Sequence, residues 1–67
     1  MIARVKPRID PAPEHENLGD AHNVVWSDGN LTVYLQPDQS WKPGVHYFPS
    51  KDAAKKALKN APSYFGP

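Results

Sequence analysis

The chain has 67 residues, no cysteine and a formal net charge of +1. That length sets one domain with a thin core, because a short chain buries a low fraction of its surface. The absence of cysteine excludes disulfides and thiolate metal sites, and no apolar run is long enough to cross a bilayer.

Charge is segregated along the chain. Arg4, Lys6 and Arg8 begin it. Asp10, Glu14, Glu16, Asp20, Asp28 and Asp38 follow without a Lys or Arg between Ile9 and Trp41. Lys42, Lys51, Lys55, Lys56 and Lys59 then face a single acid, Asp52. Asymmetry of this kind bears on partners and orientation rather than on fold. Met1 to Pro7 lacks the apolar stretch of a secretory signal, so a cytosolic (host-cytoplasmic, if phage-encoded) protein is expected. Asn30-Leu31-Thr32 is then a chance match to a glycosylation acceptor.

Residues 1–20 carry Pro7, Pro11 and Pro13 among few apolar residues: Ile2, Val5, Ile9 and Leu18. Proline withholds a backbone donor and biases its predecessor toward extended backbone. The segment reads as an extended or flexible arm, with Met1–Val5 able to add an edge strand. Residues 21–67 read as a single α+β domain.

Its first signal is Asp28-Gly29 between Val24-Val25-Trp26 and Leu31-Thr32-Val33-Tyr34-Leu35. Asp-Gly between alternating apolar runs predicts a β-hairpin on a type I′ turn. With Asp28 and Gly29 as the central pair, Trp26 faces Leu31, Val24 faces Val33 and His22 faces Leu35. These six share one face, and Val25, Thr32 and Tyr34 share the other. Residues 36–44 read as a loop ending in a Pro43-Gly44 type II turn. Val45 to Phe48 reads as a third strand, stopped by Pro49. Ser50 is a good N-cap, and Lys51 to Asn60 has helical propensity with Asp52 in the first turn. Ala53, Ala54, Ala57, Leu58 and Ala61 fill one arc of that helix, while Lys51, Asp52, Lys55, Lys56 and Lys59 fill the opposite arc. Pro62 ends the helix, and Tyr64 and Phe65 are placed to fold back over the core. The expected fold is α+β: a small three-stranded antiparallel sheet, made of the β-hairpin plus a third strand, packed by one C-terminal helix.

Catalysis needs a nucleophile and a base gathered in a pocket. Ser27, Ser40, Ser50 and Ser63 all fall in turns or caps, and a layer this thin hardly encloses a site of several hundred cubic ångströms. No catalytic residue and no cofactor are expected. Glu14-His15-Glu16 with Asp20 and His22 supplies residue types that suit zinc or nickel, but the spacing matches no closed site, so no metal is expected either. The lysine stripe carries a small internal penalty, about 0.2–0.5 kcal/mol for each like-charged pair four residues apart. An anionic partner would remove that penalty. Trp41, in a loop, and Tyr34, on the hairpin face away from the helix, are the aromatics available as interface anchors. The partner-binding candidates are therefore Tyr34, Trp41, Lys51, Lys55, Lys56 and Lys59.

Tyr47-Phe48-Pro49-Ser50-Lys51-Asp52-Ala53-Ala54-Lys55-Lys56-Ala57-Leu58 is similar to the end of the small sheet-plus-helix DNA-binding domains at the N-termini of tyrosine recombinases. That resemblance implies a sheet entering the major groove, through Val25, Thr32 and Tyr34 here. In size and lack of cysteine the chain also looks like small bacteriophage accessory proteins, a class that docks on a host protein and inhibits or redirects it. The leading expectation is a small non-catalytic protein-binding module of that kind, its partner carrying an acidic surface. The alternative is a nucleic-acid-binding module using the lysine-rich helix face and the sheet. The chain has no place in a membrane, and the edge of the small sheet leaves room for a homodimer.

Overall fold

In a computed structural model, residues 5–64 are described. The elements are β1 (Arg8–Pro11), a 3₁₀ turn (Glu14–Glu16), β2 (His22–Ser27), β3 (Thr32–Leu35), β4 (Trp41–Lys42) and α1 (Lys51–Asn60). The strands form one antiparallel sheet in the order β1-β2-β3-β4, and α1 packs on one face of it. The expected α+β class and its C-terminal helix are present. Three strands carry most of the sheet, and β4 adds two residues.

The hairpin forms with a longer loop than a two-residue turn. Ser27 pairs with Thr32, Trp26 with Val33 and Val25 with Tyr34. Asp28 causes the difference. Its Oδ1 accepts the backbone N–H groups of Asn30 at 2.9 Å and Leu31 at 2.8 Å, and its own N–H donates to the Leu31 carbonyl at 3.2 Å. That side-chain turn draws Asn30 and Leu31 into the loop. Gly29 takes a left-handed φ of 93°, whereas Asp28 does not have the positive φ that a type I′ turn requires. The register therefore slips by two residues. A slip of two leaves every side chain on its original face, so Val24, Trp26, Val33 and Leu35 still line one side together.

The neighbours of the hairpin differ from expectation. On one side, Arg8–Pro11 of the arm segment lies against β2, pairing Ile9 with Val24 and Pro11 with His22. A sheet edge tolerates the flanking prolines, since outward donors are not needed there. The accompanying reading of Met1–Val5 as an edge strand falls almost wholly outside the described residues, as does that of Phe65. On the other side, Val45–Phe48 is not the strand beside β3. Gln36 donates to the Ser40 carbonyl at 2.8 Å, with Gln39 at φ 69°, and this tight turn brings Trp41–Lys42 back against Tyr34 and Leu35. Pro43 ends that ladder by lacking a donor. Of the expected third strand only Phe48 pairs: it exchanges two backbone bonds with His22, at 3.0 and 2.7 Å.

The helix begins where its cap predicts. Ser50 accepts the Ala53 N–H at 3.1 Å, satisfying one of the free donors of the first turn. Val24, Leu35 and Ala54 are 0% exposed and form the core, and Ile9, Trp41, Phe48, Ala57, Leu58 and Ala61 pack around them. Alanine on the inner arc lets α1 lie close to the sheet. Trp26 is closed from the end: its indole N–H donates to the Val5 carbonyl at 3.2 Å, and Tyr64 meets its ring edge-on at 4.7 Å.

The opposite face also holds buried groups. Val25 and Asn23 are 3% and 7% exposed, and Asn23 Oδ1 meets no donor among the described residues. Tyr47 lies near Glu16 and Tyr34, and its hydroxyl is held above the ordinary phenol value, first by burial and then by the Glu16 carboxylate.

Two outcomes are expected. Leu35→Ala should cost about 2–5 kcal/mol, against a whole stability on the order of 3–5 kcal/mol for a scaffold this small. Urea titration followed by tryptophan fluorescence should find the variant largely unfolded in plain buffer. Asp28 should titrate by NMR below its ordinary 3.8, because the Leu31 and Asn30 amides favour the carboxylate. A depressed folded value means that this contribution is intact above pH 3.8 and is lost as pH falls through the lower folded value. A midpoint at or above 3.8 would contradict the turn.

Candidate functional site

Lys51, Lys55, Lys56 and Lys59 are all exposed on α1. The only ion pair among the described residues is Arg8–Asp10 at 3.0 Å, so none of the four lysines is neutralised by a carboxylate. Helical spacing divides them. Lys51, Lys55 and Lys59 run as a stripe down the outward side. Lys56 stands apart from them, on the row shared with Ala53 and Asn60.

Along that row lies a cleft of about 280 Å³, lined by Leu35, Gln36, Pro37, Gln39, Phe48, Ala53, Lys56, Ala57 and Asn60. Its helical wall is the i, i+3, i+4, i+7 set Ala53, Lys56, Ala57 and Asn60. Its far wall is the end of β3 and the turn after it, and Phe48 reaches it from the segment that bridges to His22. The wall is open because the helix presents alanine there: longer side chains at Ala53 and Ala57 would fill the space. Gln36 is held in place, donating to the Gly44 carbonyl at 2.6 Å and the Tyr34 carbonyl at 3.2 Å. Among the described residues, no carboxylate, histidine or hydroxyl side chain lines the cleft. Asp38, in the adjoining turn, directs its carboxylate to Ser40, whose hydroxyl and backbone N–H both donate to it. Those bonds, the hydroxyl first, hold its pKa below the ordinary value.

The structure does not gather the expected aromatics beside the lysines. Tyr34 pairs with Val25 and Lys42, on the sheet face away from α1, and is half-buried. Trp41 lies on the helix side but is half-buried against the core, with Tyr64 tilted over it at 5.9 Å. Its indole N–H donates to the Pro62 carbonyl at 3.1 Å, so Trp41 helps to hold the residues that follow the helix. On the second sheet face Thr32 is exposed, but Val25 is buried and Tyr34 partly so. That face is not an open platform. Glu14, His15, Glu16 and Asp20 are all exposed, and no group of three or more metal-ligating side chains converges among the described residues. Nor does any helix among them have the length and apolarity to cross a membrane.

Gln36, Gln39, Phe48 and Asn60 were not singled out by sequence reasoning. The one signal available was the Ala53–Lys56–Ala57–Asn60 row, where the alanine arc meets the lysine arc. Comparison with protein-family models, characterised proteins and solved structures finds no match to this chain.

The lysines have a measurable cost to the fold. Lys51 is the first residue of α1, where the helix dipole disfavours a cation, and it repels Lys55 one turn on. Lys51→Glu should therefore raise stability by about 1 kcal/mol at low salt. Urea denaturation should find the gain, and high salt should erase most of it.

Proposed function

We propose that this chain is a non-catalytic, cytosolic binding module whose partner is another protein with an acidic surface. The observation that carries this reading is the set of four exposed lysines on α1, one of them lining a partly apolar cleft, with no carboxylate among the described residues paired to any of them. Like charges stacked one turn apart oppose folding, and a docked anionic surface turns that repulsion into attraction. The mode of action is occlusion or bridging. By the likeness of size to phage accessory proteins, the module docks on a host protein and blocks or redirects it.

Three features favour protein over nucleic acid. The helix carries no arginine, the residue that reads phosphate with a rigid fork. The sheet face that would enter a groove is filled by Val25 and Tyr34. Exposed Glu14, Glu16 and Asp20 would repel a phosphate backbone.

The test compares the native chain with the Lys55→Glu/Lys59→Glu pair. Both sites are exposed, so the pair should keep the native circular dichroism. The native chain, immobilised, should retain one dominant host protein that the pair does not. Mixed-sequence duplex DNA and RNA should give no saturable binding at low salt. Saturable, steeply salt-dependent binding to duplex DNA with no protein retained would replace this reading with the nucleic-acid one.

A further inference from the structure

We infer that the cleft between α1 and the end of β3 is a socket for one large apolar side chain of an acidic protein segment, with a flanking carboxylate of that segment on Lys56. This deepens the proposed function and rests on it. The size of the cleft points to a side chain. At about 280 Å³ it has room for one large side chain, at the small end of the range for binding clefts. It is open along its length, so it suits a group presented by a larger partner. Its apolar lining is Leu35, Pro37, Phe48, Ala53 and Ala57, beside the polar Gln36, Gln39, Lys56 and Asn60.

Charge selects the chemistry around the anchor. Lys56 is the one charged group on the lining. Asp52, one turn before Lys56, does not pair with it, and the Asp38 carboxylate is engaged by Ser40. A segment laid along α1 thus meets positive charge beside an apolar slot. The matching motif is an aromatic or leucine residue set among aspartates and glutamates. This is the pattern of a buried anchor with a charged rim.

Ala53 and Ala57 give the specificity. Each occupies a helix position where a larger residue would close the slot, while the core beneath depends on Ala54. At Ala53, which is not among the residues packed on that core, filling the slot and disrupting the fold are therefore separable.

The experiment uses two fluorescein-labelled peptides of aspartate and glutamate, one with a central phenylalanine and one with serine in its place, and a short oligothymidylate of similar charge. Anisotropy on the native chain should find the phenylalanine peptide roughly tenfold tighter than its serine twin, the effect of burying one such side chain. Amide shift changes should fall on Leu35, Phe48, Ala53 and Ala57. Ala53→Leu, a substitution compatible with the helix, should bring the two peptides to equal affinity, and Lys56→Glu should weaken both alike. Equal affinity of the two peptides for the native chain would overturn the socket and leave the electrostatic reading standing. Binding of the oligothymidylate with neither peptide bound would overturn both.

Discussion

The contact on which the structure depends is Ala54 against Val24 and Leu35. These three residues are wholly buried, and the sheet joins the helix through them. A larger residue at Ala54 would push α1 off the sheet, and a smaller one at Leu35 would leave a void that so thin a layer has little material to fill. The rest of the helix side is arranged around this point. Ile9 comes from β1, Trp41 from β4, and Phe48 from the crossing that follows. Each reaches the core from a different segment, so the core is closed by long-range contacts that no single stretch of chain supplies.

Those contacts divide what the sequence makes legible from what it does not. The helix is legible because its determinants are local: a serine cap, an acid in the first turn, an alanine arc and a proline stop. The faces of the hairpin are legible because alternation with period two assigns them whatever the loop does. The pairing within the hairpin is not, since the same alternation is satisfied by any even shift, and the Asp28 side chain chooses the four-residue loop. Strand β1 is hidden for a different reason. Ile9 is one apolar residue between prolines, and only the edge of β2 makes it a strand. Val45–Phe48 misleads in the other direction. Its composition suits a strand, but the turn at 36–40 delivers Trp41–Lys42 to β3 first.

The candidate site follows the same division. The lysines could be named from helical spacing alone. The cleft beside them could not, because its walls come from α1, the turn after β3 and Phe48, and its depth comes from what alanine lacks. Trp41 illustrates how a reading by residue type can stop short. A tryptophan in a polar loop has the character of an anchor, but here it covers the core edge and holds the Pro62 carbonyl, with Tyr64 bridging it to Trp26.

Both sheet faces are engaged within the chain: one by the helix and the aromatic set, the other by Val25, Asn23 and the tyrosines around them. The outer edge of β1 is bounded by Pro7 and Pro11, which withhold the donors that an added strand would need. The other edge, β4, offers two residues. A partner seeking a sheet face or a long edge finds neither. The four lysines of α1 are exposed, and one of them, Lys56, lines the open cleft. A domain of this size encloses little, and its cleft is correspondingly shallow and open. That openness follows from the same thinness that places Ala54 at the centre of the fold.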